Sequence, residues 1–166
     1  MYENTERMMS NEKQPVESFA EVNVLQAIPH RPPFLFVDRV VQITPTSIKT
    51  ERRLRPDEEF FKGHYPNQPI MPGVLLCEAV FQSAGILMSQ QIMKLDELDD
   101  RVPVLVRVES AKFKRMALPG DCLQLSATFD HRIQDFFFFD GCVHKDGQLL
   151  VSIRFILGIV SEVAHG

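Results

Sequence analysis

One long apolar stretch in the middle of the chain constrains its fold more than any other feature. The stretch begins at Pro72 or Gly73 and runs to about Met93. Proline suits the first turn of a helix, where its missing N–H would have had no partner. The apolar members of the stretch are Val74, Leu75, Leu76, Cys77, Ala79, Val80, Phe81, Ala84, Ile86, Leu87 and Met88. A helix with so little polar surface is buried nearly all round, so the rest of the chain must wrap it.

The second half of the chain supplies the strands for this wrapping. Residues 123–130 alternate apolar and polar side chains, the period-two pattern of a strand with one buried face. We also predict strands at 34–43, 104–113, 136–144 and 149–160, with a tight hairpin at Asp146-Gly147. Phe136 to Phe139 are apolar on both faces, which predicts a place in the core and in a subunit contact. The expected class is α+β, with a long antiparallel sheet around one central helix.

Length and composition indicate how the chain is divided into a domain and a tail. The 166 residues suit one domain, with a polar, non-periodic tail at 1–17 and the domain at 18–166. Ser18 followed by Glu21 forms a capping-box pattern, which predicts a short helix ending before Pro29.

Charge and apolar-segment length narrow the functional classes. The net charge of −4 argues against a nucleic-acid partner, because such proteins usually carry positive charge to meet phosphates. We find no signal-peptide run and expect no segment of the roughly 20 residues needed to span a membrane. A soluble, cytoplasmic protein is therefore expected. Three cysteines without CxxC spacing predict core thiols rather than a disulfide framework or zinc site.

Two polar residues stand out against these apolar surroundings. His64 lies in a segment with glycine and proline on either side, and Glu78 lies within the apolar helix. Gln82, one turn further on, shares the stripe of Glu78 and could hold it by a hydrogen bond. The alternatives are a structural histidine and a glutamate that faces solvent. Between them, the N–H groups of Gly73 and Val74 at the helix start have no internal partners and could receive a developing oxyanion.

The segment FFKGHYPNQPIMPGVLLCEAVFQ resembles the active-site signature of the 3-hydroxyacyl-acyl-carrier-protein dehydratases of the FabZ type. The segments IPHRPPFLFVDRV and AKFKRMALPGD also resemble that family, so the similarity spans residues 24–160. It implies a hotdog fold, a homodimer that can form a trimer of dimers, and His64 and Glu78 as the catalytic pair. A related isomerising family, FabA-like, has aspartate at the glutamate position. Glu78 therefore favours the non-isomerising type.

The implied reaction is elimination of water from a 3-hydroxyacyl thioester in fatty acid biosynthesis or a related acyl pathway. His64 would remove a proton from C2, the Gly73 N–H would steady the thioester oxygen, and Glu78 would help the C3 hydroxyl leave. No metal or other cofactor is needed. The other histidines show no ligand spacing, and we interpret His30 as part of a structural turn.

The implied partner is an acidic acyl carrier protein with a phosphopantetheine-linked acyl chain. The candidate docking residues are the three basic side chains Lys112, Lys114 and Arg115. The alternative interpretation is that they form an ordinary solvated strand end.

Two departures from the family concern the acyl tunnel. Residues 103–109 lack the tyrosine that is credited in the family with gating the acyl tunnel. Phe81 replaces a residue that is usually alanine in the family. Tunnel shape and chain-length range are therefore expected to differ. The competing functions are a hotdog acyl-CoA thioesterase and a non-catalytic acyl-binding subunit.

Overall fold

The computed structural model describes residues 22–93 and 101–161. Its helices are α1 (Val24–Ala27), α2 (Glu59–Gly63) and α3 (Gly73–Leu87), and a π-helical turn at Met88–Ile92 continues α3. Its strands are β1 (Arg39–Ile43), β2 (Ser47–Arg53), β3 (Arg101–Phe113), β4 (Cys122–Ile133), β5 (Phe136–Lys145) and β6 (Gln148–Ser161). The predicted tail at 1–17 lies outside the described residues, and the single domain at 18–166 stays a prediction.

The sheet wraps around α3, as predicted from the apolar stretch. Its strand order is β1-β2-β4-β5-β6-β3, and all neighbours are antiparallel. Burial along β5 alternates, so that Phe137 and Phe139 are fully buried against the helix side while Phe136 is exposed. This is the α+β hotdog arrangement. The expected core position is confirmed for Phe137 and Phe139, but it was wrong for Phe136, because alternate side chains of a strand face opposite sides of the sheet. The subunit contact of the run stays a prediction.

Four of the predicted strands are confirmed as β3, β4, β5 and β6, with ends displaced by a few residues at most. The predicted hairpin is also present, since Asp146 and Gly147 alone separate β5 from β6 and both have positive φ, 48° and 74°. Two such residues are what a type I′ turn requires, and its twist matches that of the flanking strands.

The prediction for 34–43 was wrong in its first half, because β1 begins only at Arg39. The backbone at Phe34 and Phe36 is hydrogen-bonded to the side chain of Gln82 rather than to a neighbouring strand. Strand β2 was not predicted, because polar residues occupy two of its buried positions. Thr50 hydrogen-bonds Ser83 at 2.8 Å, and the two terminal nitrogens of Arg52 pair with two carboxylates, whereas its buried Nε has no hydrogen-bond partner among the described residues.

Ser18 and Glu21 lie outside the described residues, and Asn23 caps α1 instead, accepting a hydrogen bond from the Leu25 N–H at 3.0 Å. We expected no segment long enough to span a membrane, and this expectation was wrong. By length and composition alone, Gly73–Ile92 is long and apolar enough to do so. However, 67% of its apolar window is buried within the fold, as befits a core helix enclosed by a sheet.

Candidate active site

His64 follows the last residue of α2 and closes that helix through a 2.9 Å hydrogen bond from its N–H to the Phe60 carbonyl. Its ring is fixed by a 2.9 Å contact between Nδ1 and the carbonyl oxygen of Ile70. A carbonyl only accepts, so Nδ1 must carry the hydrogen. In the neutral ring Nε2 then has a free lone pair, which is the tautomer that a general base needs.

A buried ion cluster holds α2 against the sheet. Arg52 on β2 is almost fully buried and pairs with Asp38 at 2.8 Å and with Glu58, the residue that precedes α2. Glu58 also accepts a 2.8 Å hydrogen bond from the Arg55 N–H. Because both partners of the guanidinium are charged, these bonds are stronger than neutral ones and fix the backbone that leads to His64.

The start of α3 presents N–H groups that the helix does not use. Its first internal hydrogen bonds run from the N–H groups of Leu75 and Leu76 to the Pro72 carbonyl, at 3.0 and 3.2 Å. The N–H groups of Gly73 and Val74 precede these bonds at the positive end of the helix dipole. A Cβ at position 73 would lie 2.8 Å from the Phe113 ring, so a larger residue there would require that exposed ring to shift.

Glu78 is held by Gln82, as the helical spacing predicted. The Nε2 of Gln82 donates to Glu78 Oε1 at 3.0 Å, and the glutamate side chain remains 22% exposed. Gln82 itself is buried and satisfied, because its Oε1 accepts from the Phe36 N–H at 2.8 Å and its Nε2 also donates to the Phe34 carbonyl at 3.1 Å. A side chain bound at both ends gives the carboxylate a fixed support.

Glu78 opens onto a cavity of about 220 Å³. Both departures from the family adjoin it, since Phe81 and the segment 103–105 contribute to its wall. Its full lining is Ile28, Pro29, His30, Glu78, Phe81, Gln82, Gly85, Pro103, Val104, Leu105 and Leu157. His64 is not among these residues, so this cavity does not bring the two proposed catalytic side chains together.

Two cavity residues were not identified from the sequence. His30 was interpreted as a turn residue, yet its Nε2 lies 3.6 Å from Glu78 Oε1. Gly85 lies on the same helical stripe as Glu78 and leaves room where a side chain would stand. The proline-rich segment after His30 marks a turn, but only tertiary contacts reveal which residue that turn faces.

Lys112, Lys114 and Arg115, here called the basic strip, are all exposed. Arg115 donates to the Leu149 carbonyl at 3.2 Å. The strip flanks Phe113, whose ring covers Gly73, so it lies beside the start of α3. Within residues 22–93 and 101–161, no group of three histidine, cysteine or acidic side chains is arranged to hold a metal ion.

A long antiparallel sheet wrapped around one central helix is the architecture of a hotdog-fold protein. Residues 28–154 match the FabA-like domain. The chain belongs to the FabA-like domain family; this name describes the domain as a whole and does not assign the isomerising type, because relatives that match the chain are named FabZ dehydratases.

A named relative agrees with this assignment, and solved structures share the fold. A protein named 3-hydroxyacyl-[acyl-carrier-protein] dehydratase FabZ from Anaeromyxobacter sp. (strain K) is 37% identical over 136 residues, covering 81% of this chain and 86% of that protein. The dehydratase heterocomplex ApeI:P from Xenorhabdus doucetiae superposes with a TM-score of 0.73 at 16% identity, covering 85% of this chain and 93% of the other. A hypothetical thioesterase with coenzyme A from Streptococcus pneumoniae gives 0.57 at 10% identity, covering 74% and 85%. At such identities the two structures show the fold alone.

Proposed function

We propose that this chain dehydrates 3-hydroxyacyl thioesters, carried by acyl carrier protein, to trans-2-enoyl thioesters in fatty acid biosynthesis. The observation that carries the proposal is the hydrogen bond from His64 Nδ1 to Ile70, which leaves Nε2 as a base. The sequence relatives named FabZ support the same reaction. As expected from the sequence, we place the reaction in the cytoplasm.

The elimination needs one base, one acid and one oxyanion site. Nε2 of His64 takes the C2 proton, and the N–H groups of Gly73 and Val74 stabilise the charge that develops on the thioester oxygen. The electron pair from the C2–H bond forms the C2–C3 double bond as the C3–O bond breaks. Protonated Glu78 gives its proton to the departing hydroxyl, which leaves as water. Return of the proton from His64 to Glu78 resets the site.

The rate factors expected from these groups are large enough for catalysis. General acid–base assistance contributes roughly 10²–10⁴-fold per group. Removing an oxyanion donor costs about 10²–10³-fold, so the donors at the start of α3 add a similar factor. The reaction changes no oxidation state overall, and every proton it moves has a named donor and acceptor.

We propose that the complete site forms in a homodimer, with His64 of one subunit facing Glu78 of the other. The observation behind this is that His64 does not line the Glu78 cavity of its own chain. Strand β3 is an edge of the sheet and carries the exposed apolar residues Leu105, Val106 and Val108. A long apolar edge strand that is left unpaired is a template for pairing with another chain. A trimer of such dimers would be a further level of assembly.

We propose that the basic strip receives the acidic carrier protein. Its position beside Phe113 and the start of α3 would deliver a carrier-bound thioester to the oxyanion donors. Because the chain has a net charge of −4, attraction of an acidic partner requires a local positive surface, which acts mainly on the rate of encounter.

One assay with a 3-hydroxyacyl thioester tests the proposed function. Formation of the enoyl thioester, followed by its ultraviolet absorbance and by mass spectrometry, is the expected result. Release of free thiol without enoyl product would instead identify a thioesterase. Binding of the acyl thioester with neither product would identify a non-catalytic acyl-binding subunit. His64→Ala is the matched inactive control.

A further inference from the structure

The cavity beside Glu78 contains a second histidine that the proposed reaction does not use. His30 Nε2 lies 3.6 Å from Glu78 Oε1, and its ring is stacked near Phe34 with centroids 6.4 Å apart. The separation from the carboxylate is an ion-pair distance and is longer than a hydrogen bond. Contacts of catalytic groups are often long in the free enzyme and shorten when substrate binds.

The contacts of His30 identify its tautomer. Nε2 faces a carboxylate oxygen, so it must carry a hydrogen, because two lone pairs would repel each other. Nδ1 is buried and has no hydrogen-bond partner among the described residues. A hydrogen on Nδ1 would therefore be a buried donor without an acceptor, which is costly. His30 thus presents an N–H to Glu78, the opposite arrangement from that of His64.

Two donors converge on the same oxygen of Glu78. Gln82 Nε2 lies 3.0 Å from Oε1, and His30 Nε2 approaches Oε1 from another element of the fold. Because Oε1 is hydrogen-bonded by Gln82 and approached by His30, the second oxygen, Oε2, is the one left to meet the C3 hydroxyl of a substrate. The orientation of the carboxyl group then depends on both donors.

We propose that His30 is a positioning residue for Glu78, which holds Oε1 so that Oε2 faces the C3 oxygen of the substrate. This inference rests on the proposed dehydration. Loss of the His30 N–H should slow proton donation in the transition state while leaving the binding of the thioester nearly unchanged.

The test separates the N–H of His30 from its ring. His30→Phe keeps a planar ring beside Phe34 and removes the donor, whereas His30→Gln keeps an N–H donor and removes the ring. We expect His30→Phe to lower kcat by about tenfold or more, as for a lost hydrogen bond to the charge that develops on Glu78 when it gives up its proton, with little change in KM. His30→Gln should recover most of kcat. If His30→Phe melts far below wild type, His30→Leu takes its place as the variant without a donor.

His131 offers a matched control in the same chain. It is exposed, stacks on Phe138 at 4.1 Å and contacts the carboxylate of Asp130 at 3.1 Å, but it does not line the Glu78 cavity. His131→Phe and His131→Gln should both retain wild-type kcat.

The outcomes are distinguishable. A wild-type protein that forms no enoyl product overturns the proposed function itself. With an active wild type, an unchanged kcat in His30→Phe overturns the positioning role, and a loss confined to His30→Gln shows ring packing instead. If His30→Phe costs as much in a Glu78→Gln background as in wild type, His30 does not act through Glu78.

Discussion

Phe81 is the residue through which this chain's substrate range can be tested most directly. Its ring lies 4.6 Å from the Phe155 ring and is only 9% exposed, yet it also lines the cavity onto which Glu78 opens. Phe81→Ala should therefore do two things at once. It removes core contacts, and it enlarges the space available to an acyl chain.

Both effects have a predictable size. A buried phenylalanine replaced by alanine costs about 3–5 kcal/mol, and since one side of this ring meets a cavity we expect the lower end, about 3 kcal/mol. A domain of ordinary stability, about 5–15 kcal/mol, would remain folded. One methylene in an apolar pocket changes discrimination by roughly 10- to 200-fold. Phe81→Ala should thus shift the ratio of kcat/KM for long over short 3-hydroxyacyl substrates by at least about tenfold.

Gly85→Ala supplies the opposite perturbation. The new Cβ would stand 3.5 Å from Ile28 Cγ2, an ordinary contact, so the variant should fold. Alanine also favours a helix over glycine by about 1 kcal/mol. The added methyl narrows the cavity, and the same ratio should fall. The assay is the chain-length profile of both variants, together with thermal unfolding.

Phe139→Ala is the control for stability alone, because Phe139 is fully buried and stacks on Phe155 without lining this cavity. If Phe81→Ala loses stability as Phe139→Ala does but keeps the wild-type chain-length profile, Phe81 is core packing and the reasoning is refuted.

Three further predictions address the site and the surface. His64→Ala and Glu78→Ala should each lose most enoyl formation while keeping melting temperatures near wild type. Mixing the two variants under conditions that exchange subunits should restore part of the activity. Proven exchange without recovery would place the site within one chain. Reversing the charges of the basic strip should slow reaction with carrier-bound substrate and spare a short cysteamine thioester, whereas equal losses on both would exclude docking. Burial raises the pKa of the Cys77 thiol to about 11. A maleimide should therefore label exposed Cys122 in the native protein and reach Cys77 only after unfolding. Peptide mass mapping would show which cysteines are labelled.

The core of the fold could be predicted from the sequence because its pattern is local. An apolar stretch of helical length and alternating strands in the second half determine which surfaces must meet. Cys122 shows where a local pattern is insufficient. It was interpreted with the other cysteines as a core thiol, but it begins β4 on the exposed side of the strand. A single residue at a strand end carries no periodicity from which its side of the sheet could be inferred.

Strand β2 was missed for a different physical reason. Arg52 and Thr50 occupy positions that a pattern of apolar residues assigns to the core, and their partners come from other parts of the chain. Hydrogen bonds to the Thr50 hydroxyl and to the terminal nitrogens of Arg52 offset most of the cost of burying these groups. The compensation is tertiary, so the strand itself gives no sign of it. The same holds for His30, whose relation to Glu78 exists only after the chain has folded.

The helix α3 joins the fold and the proposed chemistry through one stripe of its surface. Glu78, Gln82 and Gly85 lie three or four residues apart and so stack along one face, while the rest of the helix is apolar except for Ser83. Gln82 carries little penalty for its burial, since both ends of its amide are hydrogen-bonded. It also hydrogen-bonds the backbone of Phe34 and Phe36, and so holds the preceding segment, which contains His30, against the helix. A core that holds this amide in place therefore orients the carboxylate as a consequence of folding, before any substrate binds.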